Sequence, residues 1–140
     1  GMEALKKAEK DGAVPKDEIP RLVAACDLET HDHQGRGLGT TTLEVMAAGK
    51  PVVAAAEPDN FPGITLDSWS NIVLMPYEDA GVLADAVVRL LGEPALGRKI
   101  GANQRALVLE HFTYQAVAAK HLALYERLVA RSTTSSRGTS

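Results

Sequence analysis

Aromatic residues are scarce: two Phe, one Trp and three Tyr in 140 positions. A core built from large rings is therefore excluded, and the interior falls to Ala, Val and Leu. A single cysteine, Cys26, excludes an intrachain disulfide. That fits a reducing compartment and sets the expectation of a cytoplasmic protein. Basic charge is not in excess, and a net charge of −3 leaves no electrostatic footprint for nucleic acid. No apolar run approaches the roughly 20 residues that a membrane-spanning helix needs, so no transmembrane segment is expected. The N-terminal residues are charged and amphipathic rather than apolar, which does not read as a secretory leader.

What is present is an ordinary globular composition, 45% hydrophobic and 24% charged, in a chain long enough for one core and too short for two. A single domain over residues 2–131 is expected, incomplete at its N-terminal edge. A disordered tail of Ser, Thr, Arg and Gly is expected over 132–140. Residues 2–10 read as a short helix broken at Asp11-Gly12, and Ala13-Val14-Pro15 as the remnant of a strand. Asp17 is placed to cap a helix running to about Cys26, with Pro20 in its first turn, where a missing N–H does little harm. Asp27–Asp32 lies where a strand belongs, although Glu29, His31 and Asp32 are too polar for a strand buried on both faces.

Gly35–Gly39 is a glycine-rich loop, and Thr40–Ala48 reads as a helix stopped by Gly49. Pro51–Ala55 and Ile72–Met75 are short continuous apolar runs of the kind found in buried parallel strands. Between them, 57–71 is a long loop with three turn-forming centres. Three helices close the chain. They are marked in turn by Leu83, Val87, Leu90 and Leu91, by Leu96, Ile100 and Leu107, and by Ala118, Leu122, Tyr125 and Val129. Asp85 and Arg89 are spaced to pair on the wet face of the first. Glu78 and Asp79 precede that helix as capping residues. Apolar strands alternating with helices predict an α/β fold, a Rossmann-like parallel sheet flanked by helices.

The stretch Gly35-Arg36-Gly37-Leu38-Gly39-Thr40-Thr41-Thr42-Leu43-Glu44 carries the chemistry. It follows a strand and opens a helix. In open α/β sheets ligands sit beyond the carboxyl ends of the strands, and a helix N-terminus there presents unpaired N–H groups and a positive dipole end to an anion. Gly37 and Gly39 let backbone approach phosphate without a Cβ in the way. Thr40 and Thr41 add hydroxyl donors. Glu44, one turn in, can accept two hydrogen bonds from vicinal hydroxyls such as those of a ribose. The pattern alone leaves a second reading open, a tight turn with Thr40 as the helix cap.

Order along most of the chain adds to this. Leu22-Val23-Ala24-Ala25-Cys26-Asp27, Gly37-Leu38-Gly39, Glu44-Val45-Met46-Ala47-Ala48-Gly49-Lys50-Pro51-Val52-Val53-Ala54, Asn71–Pro76, Glu110-His111-Phe112-Thr113 and Leu124-Tyr125 follow one another as in a known pattern. The run from Val14 to Val129 resembles the C-terminal, donor-binding domain of group 1 retaining glycosyltransferases, which have the GT-B fold. The resemblance implies a nucleotide-diphosphate sugar bound by Arg36, Gly37, Leu38, Gly39, Thr40, Thr41 and Glu44. It implies hexosyl transfer, with no metal and no other cofactor.

Several positions depart from the family pattern. Two glutamates eight positions apart are usual, and Arg36 replaces the first while Glu44 matches the second. A guanidinium cannot accept hydrogen bonds from sugar hydroxyls, but it can pair with phosphate. In the loop after Ala55, Pro62 and Ile64 match and Gly63 replaces a glutamate. The basic pair that grips the diphosphate in the family, and the acceptor-binding domain, are not found in residues 1–13. The chain alone is therefore expected to be inactive, with an N-terminal glycosyltransferase half or a second copy as partner. The alternative is a degenerate, non-catalytic subunit or interaction module. His31 and His33, with Asp32 between them, have the spacing of two metal ligands but lack a third at useful distance. Trp69 reads as a core cap rather than a stacking platform.

Overall fold

The computed structural model describes residues 15–31 and 38–135. In chain order the elements are α1 (Ile19–Ala25), β1 (Glu29–His31), α2 (Thr40–Ala47), β2 (Val52–Ala54), β3 (Val73–Leu74), α3 (Ala80–Gly92), α4 (Pro94–His111) and α5 (Tyr114–Ser135). The strands form one parallel sheet in the order β1-β2-β3. Glu29 pairs with Val52, and Val53 with Val73. The α/β sheet expected from the strand–helix alternation is therefore present. The readings of 2–10, of Ala13-Val14 and of 32–37 lie outside the described residues.

The middle strand organises the core because successive side chains of a strand leave on opposite faces. Val52 and Ala54 pack with Val45 and Met46 of α2, Leu66, Ile72 and Val108. Val53 packs on the other side with Val73, Met75, Ala86, Leu90 and Ile100. Covered on both faces, β2 is fully buried, which is why it reads as an unbroken apolar run. Gln104 of α4 is also fully buried. Its amide nitrogen donates to the Lys50 carbonyl (2.8 Å) and its oxygen accepts from the Val52 N–H (3.2 Å), so α4 holds the chain as it enters β2.

Helix ends differ from expectation in instructive ways. The N-cap of α1 is Glu18 rather than Asp17, and among the described residues no side chain caps it. Asp79 does cap α3, its carboxylate accepting from the Val82 N–H at 2.9 Å, whereas Glu78 takes a left-handed backbone (φ 58°) that turns the chain into the helix. Arg89 pairs with Glu93 (3.1 Å) instead of Asp85, and its guanidinium lies 4.3 Å from the centre of the Trp69 ring. The stacked position draws Arg89 toward the end of its helix, and Trp69 packs against the core as expected. Leu91 is exposed, because the buried stripe of α3 runs through Ala86 and Leu90. α5 continues to Ser135, into the stretch from Ser132 that composition alone reads as tail. Extending an existing helix needs no new nucleus, so weak helix formers can follow. Its residues Leu122, Tyr125 and Val129 are exposed. No helix among the described residues is long and apolar enough to cross a membrane.

Candidate functional site

Helix α2 sets the geometry. Gly39 is its N-cap, in extended conformation, and its carbonyl accepts from the Leu43 N–H (3.1 Å). Among the described residues no side chain caps α2, and no acidic residue sits in its first turn, so its leading N–H groups are open to backbone, solvent or ligand. At 3.6 residues per turn, Thr40, Thr41, Glu44 and Ala48 share one side, and Thr42, Val45 and Met46 the other. The second set is buried. The first set is exposed and lines a groove of about 990 Å³ with Lys16 and Lys50, walled opposite by Ile19, Pro20, Val23 and Ala24 from α1.

Three of the expected site residues, Thr40, Thr41 and Glu44, thus come together. Leu38 and Gly39 lie just before them. The Leu38 side chain is in the core, leaving its backbone as the part available to a ligand. Arg36 and Gly37 lie outside the described residues, as do Asp32 and His33. Pro62 does not line the groove. It borders a smaller cavity of about 230 Å³ with Phe61, Ile64, His111 and Phe112, where the two phenyl rings meet edge to face at 4.9 Å. Among the described residues no group of three or more metal-ligating side chains converges.

Two features were not anticipated. Lys16 and Lys50 bring positive charge to the groove; Lys50 stands inside the most specific matched block, where spacing alone gives it no role. The polar content of β1 also has an explanation in three dimensions. Thr42 Oγ1 donates to Glu29 Oε1 at 2.8 Å, and His31 Nδ1 lies 3.5 Å from the same oxygen. Glu29 Oε2 is buried and finds no hydrogen-bond partner among the described residues.

A buried carboxylate that loses its donor costs more than a pair removed together. Thr42→Val is therefore expected to destabilise the protein by about 2 kcal/mol. Adding Glu29→Val to it should recover most of that loss, read as urea midpoints across the double-mutant cycle. Additive losses in the double variant would show that the Glu29–Thr42 bond carries none of the stability.

Residues 3–93 match the family model described as "Glycosyl transferases group 1". The chain is 30% identical over 115 residues to an MMP alpha-(1->4)-mannosyltransferase of Mycolicibacterium hassiacum, a match covering 82% of this chain and 28% of that one. The sucrose-phosphate synthase of Thermosynechococcus elongatus superposes with a TM-score of 0.67 at 26% identity, over 85% of this chain and 29% of that structure. Alr3699/HepE of Anabaena, solved in complex with UDP-glucose, superposes with a TM-score of 0.61 at 25% identity, over 84% of this chain and 31% of that structure. The chain thus spans about a third or less of the length of these relatives.

Proposed function

Because this chain belongs to the group 1 family of glycosyl transferases and has the sheet of their GT-B fold, we propose that it binds the nucleotide-diphosphate sugar donor for hexosyl transfer. One observation carries the reading. Glu44, Thr40 and Thr41 face a single groove whose volume, about 990 Å³, suits a nucleotide. Glu44 accepts from the ribose hydroxyls. The amides of Gly37, Leu38, Gly39 and Thr40, leading into the N-terminus of α2, hold the diphosphate, with the Thr41 hydroxyl and Arg36 adding donors. That the Anabaena neighbour was solved with UDP-glucose and with UDP supports testing a uridine nucleotide first.

Positive charge and a helix dipole at the diphosphate stabilise the nucleoside diphosphate as it leaves, when its bond to the sugar's anomeric carbon breaks and the acceptor oxygen takes its place. The acceptor surface is supplied by other residues: an N-terminal glycosyltransferase half or a second copy of the chain.

An amide NMR titration with UDP and GDP tests this. Saturable shifts at Gly37, Gly39 and Thr40 with one nucleotide are expected. No shift at millimolar concentration of either would leave a non-catalytic subunit or interaction module, the reading that Arg36 favours.

A further inference from the structure

Among the described residues the wall of the groove opposite Glu44 has few anchors. α1 buries none of its seven residues, and Val23 packs only partly against the core. Across the base of the groove, Lys50 Nζ donates to the Ala24 carbonyl at 3.1 Å. Ala24 is in the last turn of α1, where carbonyls lack helical partners and the dipole end is negative, so an ammonium there satisfies both. The backbone of Lys50 is in turn fixed. Its N–H donates to the Val45 carbonyl at 3.2 Å, and its carbonyl accepts from the buried Gln104 at 2.8 Å. Lys50 therefore brackets α1 to both α2 and α4.

We infer that Lys50 is a positioning residue for the nucleoside end of the donor: by holding α1 it fixes the width of the groove that faces Glu44. The inference rests on the donor-binding reading above. Because the ammonium also borders the groove, the competing mode of action is direct contact with ligand phosphate.

The two are separated by Lys50→Met and Lys50→Arg, using amide hydrogen exchange in the free protein and titrations with UDP and UMP, or with GDP and GMP if guanine is preferred. In Lys50→Met, the α1 amides should exchange about tenfold faster. Nucleoside diphosphate affinity should fall about tenfold, equivalent to about 1.4 kcal/mol, with the diphosphate-to-monophosphate ratio unchanged. Lys50→Arg, which can reach the same carbonyl, should restore both. Unchanged α1 exchange in Lys50→Met overturns the inference, and so does an affinity loss confined to the diphosphate. If the wild-type protein binds neither UDP nor GDP, the donor reading falls and takes this one with it. If it binds and only the exchange result is negative, the donor reading stands alone.

Discussion

Gly101→Ala is expected to destabilise the protein by about 3 kcal/mol or more, while Gly97→Ala, one turn earlier in the same helix, should be neutral or slightly stabilising. A Cβ on Gly101 would overlap the Gly49 oxygen and stand 2.7 Å from its carbonyl carbon. Neither backbone can yield cheaply. Gly49 ends α2 in a left-handed conformation (φ 75°), its N–H bonded to the Met46 carbonyl and the Lys50 N–H to the Val45 carbonyl. That pair of bonds is the glycine stop of a Schellman motif. Gly101 lies inside α4, which is fixed on the same side by the fully buried Ile100 and Gln104. At Gly97 the added Cβ would meet Pro51 Cγ at 3.6 Å and the Leu90 oxygen at 3.9 Å, ordinary contacts. There the helix gains propensity without strain. Urea denaturation of the two variants checks the contrast; equal midpoints would mean that α2 and α4 do not approach as closely as the structure has them.

The second large effect concerns ligand rather than fold. Glu44→Ala should weaken binding of a ribonucleoside diphosphate by about 2–3 kcal/mol, on the order of a hundredfold, since two hydrogen bonds to a carboxylate are lost. Glu44 is exposed on α2, so the urea midpoint should hardly move. Glu44→Gln keeps one good acceptor and should lose less. A 2′-deoxyribonucleotide supplies an internal control: the wild-type protein should bind it more weakly than the ribonucleotide, and Glu44→Ala should bind the two alike. Calorimetric titration reads all four combinations. Retention of the ribose preference in Glu44→Ala would remove Glu44 from the site.

How far these residues could be read in advance varied with how local their signals were. Gly49 was legible as a helix stop because a left-handed residue after an apolar-periodic stretch is a local steric requirement. Val52–Ala54 was legible because a strand covered on both faces has no polar side to show. Thr40, Thr41 and Glu44 could be placed on one helical face by period alone. Gly101 gave no comparable sign: a glycine within a helix looks like a weak point until the partner backbone is seen. Glu29 could be read in part: its charge argued against a strand buried on both faces, and β1 indeed has no buried residue, whereas its partner Thr42, thirteen positions away, is supplied only by the fold. Arg89 had two acidic neighbours at helical spacing, and the Trp69 ring, supplied by a distant turn, accompanies the pairing with Glu93.

The sequence by itself determined the parallel α/β arrangement, the glycine-led helix with Glu44 on its open face, and membership of the glycosyl transferase family. These rest on periodicity, on backbone sterics and on the order of short motifs, all of which act within a few turns of chain. Tertiary structure alone decided that α1 stands across a groove from Glu44, that Lys50 ties the two sides together, and that Gly49 and Gly101 are in backbone contact. Each of those facts depends on which distant segments meet, and chain closure across tens of residues is set by the packing of the whole core rather than by any local preference.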